Sequence, residues 1–203
     1  MERPRKAHYN LKRQTSILYF SEGDLGEYYI RGGIFWPEED NGFAILAGQD
    51  INDKKVHVFE EYSFLTIDHV FGPDQMIEFH GLAPFFGKCW SKYYGDKFFW
   101  NQPEETHKRF RLQVSRSQMV QPKPHFIEAP LSDADSARRL PFDYTRIGRL
   151  NMEEGSELHK QLEIAKHDEK AHLPAVFALG RLLAGFERYP FRAYDVEEQA
   201  SYF

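Results

Sequence analysis

Cysteine is almost missing from this chain: Cys89 stands alone among 203 residues. A lone thiol excludes an intramolecular disulfide framework and a multi-cysteine zinc site, and it fits a reducing compartment, so a cytoplasmic location is expected. Cys89 has aromatic neighbours in FGKCWSKY and no evident base, which reads as a buried thiol rather than a nucleophile. No apolar run approaches the roughly 20 residues that a bilayer-spanning helix needs, so no membrane partner is expected. The opening MERPRKAHYNLKRQ is polar and basic, lacks an apolar central region and does not read as a secretory signal. G-x-S-x-G is missing, and so is the phosphate loop G-x-x-x-x-G-K-[ST]; the paired glycines of IRGGIFW lack the spacing of a dinucleotide-binding turn. An excess of positive charge is also missing: the net charge of −5 does not suit a chain that coats nucleic acid or an anionic membrane over its whole surface. Local basic patches remain open.

Aromatic side chains are plentiful. They make up 16% of the residues, which points to a sheet-rich core or to a surface on which flat groups stack. The length allows a sizeable closed core. Residues 1–15 read as a basic N-terminal arm, either phosphate-contacting or without fixed structure, and residues 16–203 as one domain.

Within that domain SILYF reads as a short strand. EYYIRGGIFW, FAILAGQDI and VHVFEEYSF follow as three strands, separated by PEEDNG and NDKK. Loops this short require an antiparallel meander, because parallel neighbours need a crossover of a dozen residues or more. FAILAGQDI is apolar nearly throughout, as a strand covered on both faces should be. Residues 72–96 carry apolar residues at helical spacing, interrupted by Gly81, Pro84 and Gly87, and predict one or two helices with a break. KFFWNQPEETHKRFRLQVSRSQMV is open between strand, loop and basic helix. HFIEA reads as a strand and ADSARRL as the start of a helix with Ser132 or Asp133 as N-cap. FDYTRIGRL reads as a further strand, which would complete a parallel strand–helix–strand unit. Two C-terminal helices follow. One carries Leu158, Leu162 and Ala165 on one face; the other, LPAVFALGRLLAGFER, has Pro174 in its first turn and is apolar on most sides. AYDVEEQASYF predicts a last short helix. The expected class is therefore α/β: a mixed sheet of an antiparallel three-strand meander plus parallel strands, flanked by helices, which is the ribonuclease-H-like plan.

Short motifs then resemble one family in particular, the nuclease domain of the large terminase subunit of tailed phages and herpesviruses. GIFW at 33–36 is similar to that family's G-I-D-W, FAILAGQD at 43–50 to its A-[IV]-L-x-G strand, and VFEEYSF at 58–64 to its strand ending near D-E-Y. FIEAPLSD at 126–133 resembles the family's fourth strand, with Glu128 in the place of the acid, and DVEEQASY at 195–202 resembles its last motif, with Glu198 as the acid and Asp195 ahead of it. The resemblance implies binding, and in an active member cleavage, of double-stranded DNA during viral genome packaging in the host cytoplasm. Mg²⁺ or Mn²⁺ would sit on Glu128, Glu198 and Asp195, because two hard ions about 4 Å apart hold both the attacking and the leaving oxygen of a phosphodiester. A packaging ATPase domain or a portal-type protein would be the partner. No ATPase motif occurs here, so the expectation is a fragment of a larger protein or a stand-alone relative.

One departure matters. The family's first metal-binding Asp corresponds to Phe35, which offers a cation no oxygen. Either Glu39 from the PEED turn substitutes, or the module is catalytically vestigial and serves as a DNA-binding or protein-docking domain. Simpler readings stand beside each site residue. Glu128 could be an acid at an exposed strand end, or be paired with Arg138 or Arg139. Asp195 and Glu198 form a D-x-x-E capping box. Of Glu60 and Glu61, one is expected to face solvent. His159, His167 and His172 fit a solvated helix face better than a zinc site. HKRFRLQVSRS interleaves basic and aromatic residues, so Lys108, Arg109, Arg111 and Arg116 are candidate phosphate contacts, extended by Arg138 and Arg139.

Overall fold

A computed structural model describes residues 4–21, 23–36, 41–65, 79–101, 124–129, 131, 134–168, 171 and 173–190. In chain order the elements are β1 (Lys6–Asn10), β2 (Thr15–Tyr19), β3 (Leu25–Phe35), β4 (Asn41–Asp50), β5 (Val56–Leu65), α1 (Phe79–Tyr93), β6 (Lys97–Trp100), β7 (His125–Glu128), α2 (Ala134–Arg146), β8 (Leu150–Asn151), α3 (Glu157–Ala165) and α4 (Pro174–Arg188). No helix among the described residues is long and apolar enough to cross a membrane.

The eight strands form one mixed sheet. The meander β3–β4–β5 is antiparallel throughout. Its second turn is fixed by Asp50, whose carboxylate accepts from the amide of Asn52 at 2.7 Å, a side-chain turn that favours tight reversal. β6 joins the free edge of β3 in parallel, and β7 joins β6 in parallel. The central order is thus β5-β4-β3-β6-β7. The basic opening stretch contains β1, which pairs with β2, and β2 pairs with the start of β3.

β2 and β6 therefore share one edge of β3, end to end. β2 takes residues 25–28 and β6 takes Gly32, Gly33 and Ile34, so a break in the sheet lies opposite Tyr29, Ile30 and Arg31.

Strand alternation sends side chains to two cores. On one face α1 covers Ile34, Leu46, Phe98 and Trp100. On the other, α2, α3 and α4 cover Ile45, Val58 and Phe99, with Leu179 and Leu182 fully buried between. β4 contributes to both cores, which explains its continuous apolar run. Helix α4 lies directly on the sheet because Gly33 leaves room for it: a Cβ there would stand 2.2 Å from the Ala178 carbonyl oxygen.

Three expectations change. α1 runs unbroken through Gly81, Pro84 and Gly87. α2 continues to Arg146 through Pro141, so residues 142–146 are helix and not strand. Its buried stripe, Ala137, Pro141 and Tyr144, keeps the helical period and packs toward α4. Only Leu150 and Asn151 form the following strand, and they pair in parallel with β5, at the opposite edge of the sheet from β7. Ser132, Asp133 and residues 193–203, where N-caps and a last helix were expected, lie outside the described residues.

Candidate functional site

The parallel strands β6 and β7 and the centre strand β3 finish at one end of the sheet. Ile34, Trp100 and Glu128 are level across it. Level residues in paired strands point to the same face. Ile34 and Trp100 belong to the core beneath α1, so Glu128 emerges on that face, exposed at the last position of β7. Phe35 points the opposite way, toward α4. Glu128 also sits two strands from β3, about 9–10 Å away by strand spacing alone. The strand directly beside β3 is β6, and the residue that follows its end is Asn101, not an acid. Asn101 Oδ1 accepts from the backbone N–H of the buried Trp36 at 3.3 Å.

The α4 face of this end is filled by an aromatic pair and a cation. Phe35 stacks on Phe177 with ring centroids 5.0 Å apart. One helical turn on, the Arg181 guanidinium lies 5.2 Å from the Phe35 ring centroid. Arg181 is only 8% exposed, and its Nη1 donates to the Phe177 carbonyl at 3.3 Å. Its Nε has no hydrogen-bond partner among the described residues. Burial holds its pKa down to about 10, still high enough to keep the charge at neutral pH.

Among the described residues, the ends of β3 and β6 offer no donor set that fits a divalent ion. Hard cations take carboxylate oxygens. Here β3 and β6 end on a phenyl ring and an amide oxygen already engaged, and α4 adds a fixed positive charge that would repel the ion. Among the described residues no three His, Cys, Asp or Glu side chains are grouped to hold a metal.

The remaining candidates fall as follows. Glu39, Asp195 and Glu198 lie outside the described residues, as do Lys108, Arg109, Arg111, Arg116 and His172. Arg138 donates to the backbone carbonyls of Ala165 and Asp168, tying α2 to the end of α3. Arg139 is exposed and lies 3.5 Å from Asp143 on its own helix. Cys89 is fully buried, and burial pushes its thiol well above the usual range, as expected for an inert sulfhydryl.

The glutamates of β5 depart from expectation, since neither is a free surface acid. Glu60 is buried and held by the Lys88 ammonium and, at 2.8 Å, by the Tyr93 hydroxyl. Glu61 is half-buried, and one carboxylate oxygen accepts from the Leu158 amide in the first turn of α3 at 3.2 Å. Burial nonetheless raises the Glu61 pKa above its ordinary value. A raised acid pKa means that the folded state binds the proton more tightly, so its contribution to stability is present at low pH and is lost as pH rises. Glu61→Gln, which keeps an acceptor for Leu158 without the charge, should therefore raise the melting temperature at pH 7.5 and leave it unchanged at pH 4. Thermal unfolding at the two pH values checks the sign.

Sequence reasoning missed Arg31 and Arg181. The available signal was a cation inside an apolar run, in YYIRGGIF and in FALGRLLAGF, where an unpaired charge is costly and needs a reason. No protein-family model, curated protein or solved structure matches the chain.

Proposed function

We propose that this chain is a ribonuclease-H-like module, related to terminase nucleases, that grips double-stranded DNA without cutting it. The order β5-β4-β3-β6-β7, with an antiparallel trio, two parallel strands and a helix before the fourth, supports the scaffold. The observation that carries the loss of cleavage is the Phe35–Arg181 pair. It puts a ring and a positive charge at the strand end where the family's first Asp would hold a metal. Support for DNA comes from the basic and aromatic run that contains Lys108, Arg109, Arg111 and Arg116. In this reading a packaging ATPase or portal-type partner supplies the motor, and the module contributes affinity for the duplex.

Plasmid incubated with the protein and Mn²⁺ should stay uncut, while a duplex should be shifted in a gel and released as salt rises, since phosphate contacts displace counterions. Mn²⁺-dependent nicking that is abolished in Glu128→Ala would restore the active-nuclease reading. A duplex left unshifted at low salt would remove DNA from the account.

A further inference from the structure

At the other end of β6 the break in the sheet opens into a cavity of about 540 Å³ on the α4 face. Its described lining includes Arg13, Arg31, Lys97 and Arg188, and no carboxylate. A second cavity, about 280 Å³, opens on the opposite face and shares Gln14, Arg31 and Lys97 with the first. These three residues therefore stand in the break itself, where β3 has neither β2 nor β6 beside it.

Arg31 is the centre of the arrangement. Only 8% of it is exposed, yet no carboxylate lies within ion-pair distance of it among the described residues. Its guanidinium lies 3.8 Å from the centroid of the Tyr29 ring, and Nη1 donates to the Ile30 carbonyl at 2.7 Å. Asp96, in the second cavity, acts on it only at longer range. Arg13 at the rim is partly neutralised by Glu27 at 3.1 Å. Lys97 is half-buried, and Arg188 is exposed at the end of α4.

Buried guanidinium groups in a folded core are normally paired, because an unpaired charge loses hydration without recompense. Both arginines lie over a ring, but Arg181 lines neither of the two cavities, whereas Arg31 lines both. Three further cations around the same volume would repel one another unless an anion sits among them. Guanidinium groups present a planar fork of donors that suits phosphate oxygens. The remaining wall is aromatic: Tyr29 on one side, and Tyr189 stacked on Phe99 with centroids 5.9 Å apart on the other. The volume is within the range of small-molecule sites and well beyond what a bare phosphate fills.

We propose that this cavity binds a phosphate monoester carried on a planar ring, with the phosphate on Arg31, Lys97 and Arg188 and the ring against the exposed face of Tyr189. This does not rest on the DNA-binding reading, since the cavity lies at the end of β6 opposite Phe35 and Glu128.

Calorimetric titration of the full chain with phenyl phosphate, inorganic phosphate and phenol tests it. Phenyl phosphate should bind at least tenfold more tightly than inorganic phosphate, and phenol should not bind. Arg31→Met, which keeps an apolar stem, should weaken phenyl phosphate at least tenfold, and Arg188→Ala, at an exposed position that folding does not need, should weaken it severalfold. Absence of phenyl phosphate binding, equal affinity for inorganic phosphate, unchanged affinity in Arg188→Ala, or unchanged affinity in a folded Arg31→Met would each overturn the proposal.

Discussion

Gly180→Val should lower the melting temperature by roughly 6–12 °C, which corresponds to a loss of about 3 kcal/mol from overpacking in a chain of this size. The cause is a backbone contact. A Cβ at position 180 would stand 1.7 Å from the carbonyl oxygen of Ala137 in α2, a separation that no rotamer change relieves. The sequence explains why that oxygen is available. Pro141 has no N–H, so the Ala137 carbonyl lacks the donor that a helix would bring four residues later. α4 uses the free surface by bringing a glycine against it, and Ala137 is fully buried there. Gly180→Ala separates this contact from helix propensity. Propensity alone predicts a gain of about 1 kcal/mol for alanine inside a helix. The contact predicts a net loss. Calorimetric unfolding of both variants gives the sign, and an alanine variant more stable than wild type would mean that α2 and α4 cross farther apart.

Lys88→Met should cost about 3 kcal/mol or more at pH 7.5, because removing one partner of a buried pair leaves an uncompensated charge. Glu60 has a side chain only 4% exposed, whereas Lys88 is 36% exposed, so the damage comes from the carboxylate left behind rather than from lost attraction. The Tyr93 hydroxyl, at 2.8 Å, would be its remaining partner in that network. The double variant Glu60→Gln/Lys88→Met should recover most of the loss. Urea unfolding of the single and double variants measures the coupling directly. Equal stability of Lys88→Met and wild type at pH 7.5 would show that the pair behaves as a solvated surface contact.

The meander was legible because its turns are chemically explicit. The connections, residues 36–40 with Pro37 and residues 51–55 with Asn52-Asp53, leave no room for a crossover, so strand direction followed from loop length, although Asn41 and Gly42, read as turn, open β4. α4 was legible for the opposite reason, as a long apolar run with proline at its first turn. The stretch at 142–150 misled because phenylalanine, tyrosine and threonine favour strands locally, while the stripe Ala137, Pro141 and Tyr144, which buries against α4, decides for helix. A parallel strand after α2 was expected and Leu150 lies in it, but its partner was beyond reach: β8 pairs with a strand about ninety positions earlier, and nothing local encodes that. At the candidate site, Phe35 was visible as a departure from a motif. The level of Glu128 in the sheet was not, because it depends on β6, a four-residue strand followed by a long polar run, lying between β3 and β7. Arg181 sits in the sequence as one polar residue of a buried helix, and its place over the Phe35 ring depends on how α4 lies on the sheet.

The most direct test of the proposal that the strand ends hold no metal is paramagnetic. With Mn²⁺ titrated into isotope-labelled protein, the backbone amides of Phe35, Trp36 and Asn101 should broaden no more than those of distant buried strands such as β4. Selective broadening of those three at low Mn²⁺, relieved by Mg²⁺, would place a divalent ion at the strand ends and contradict the account.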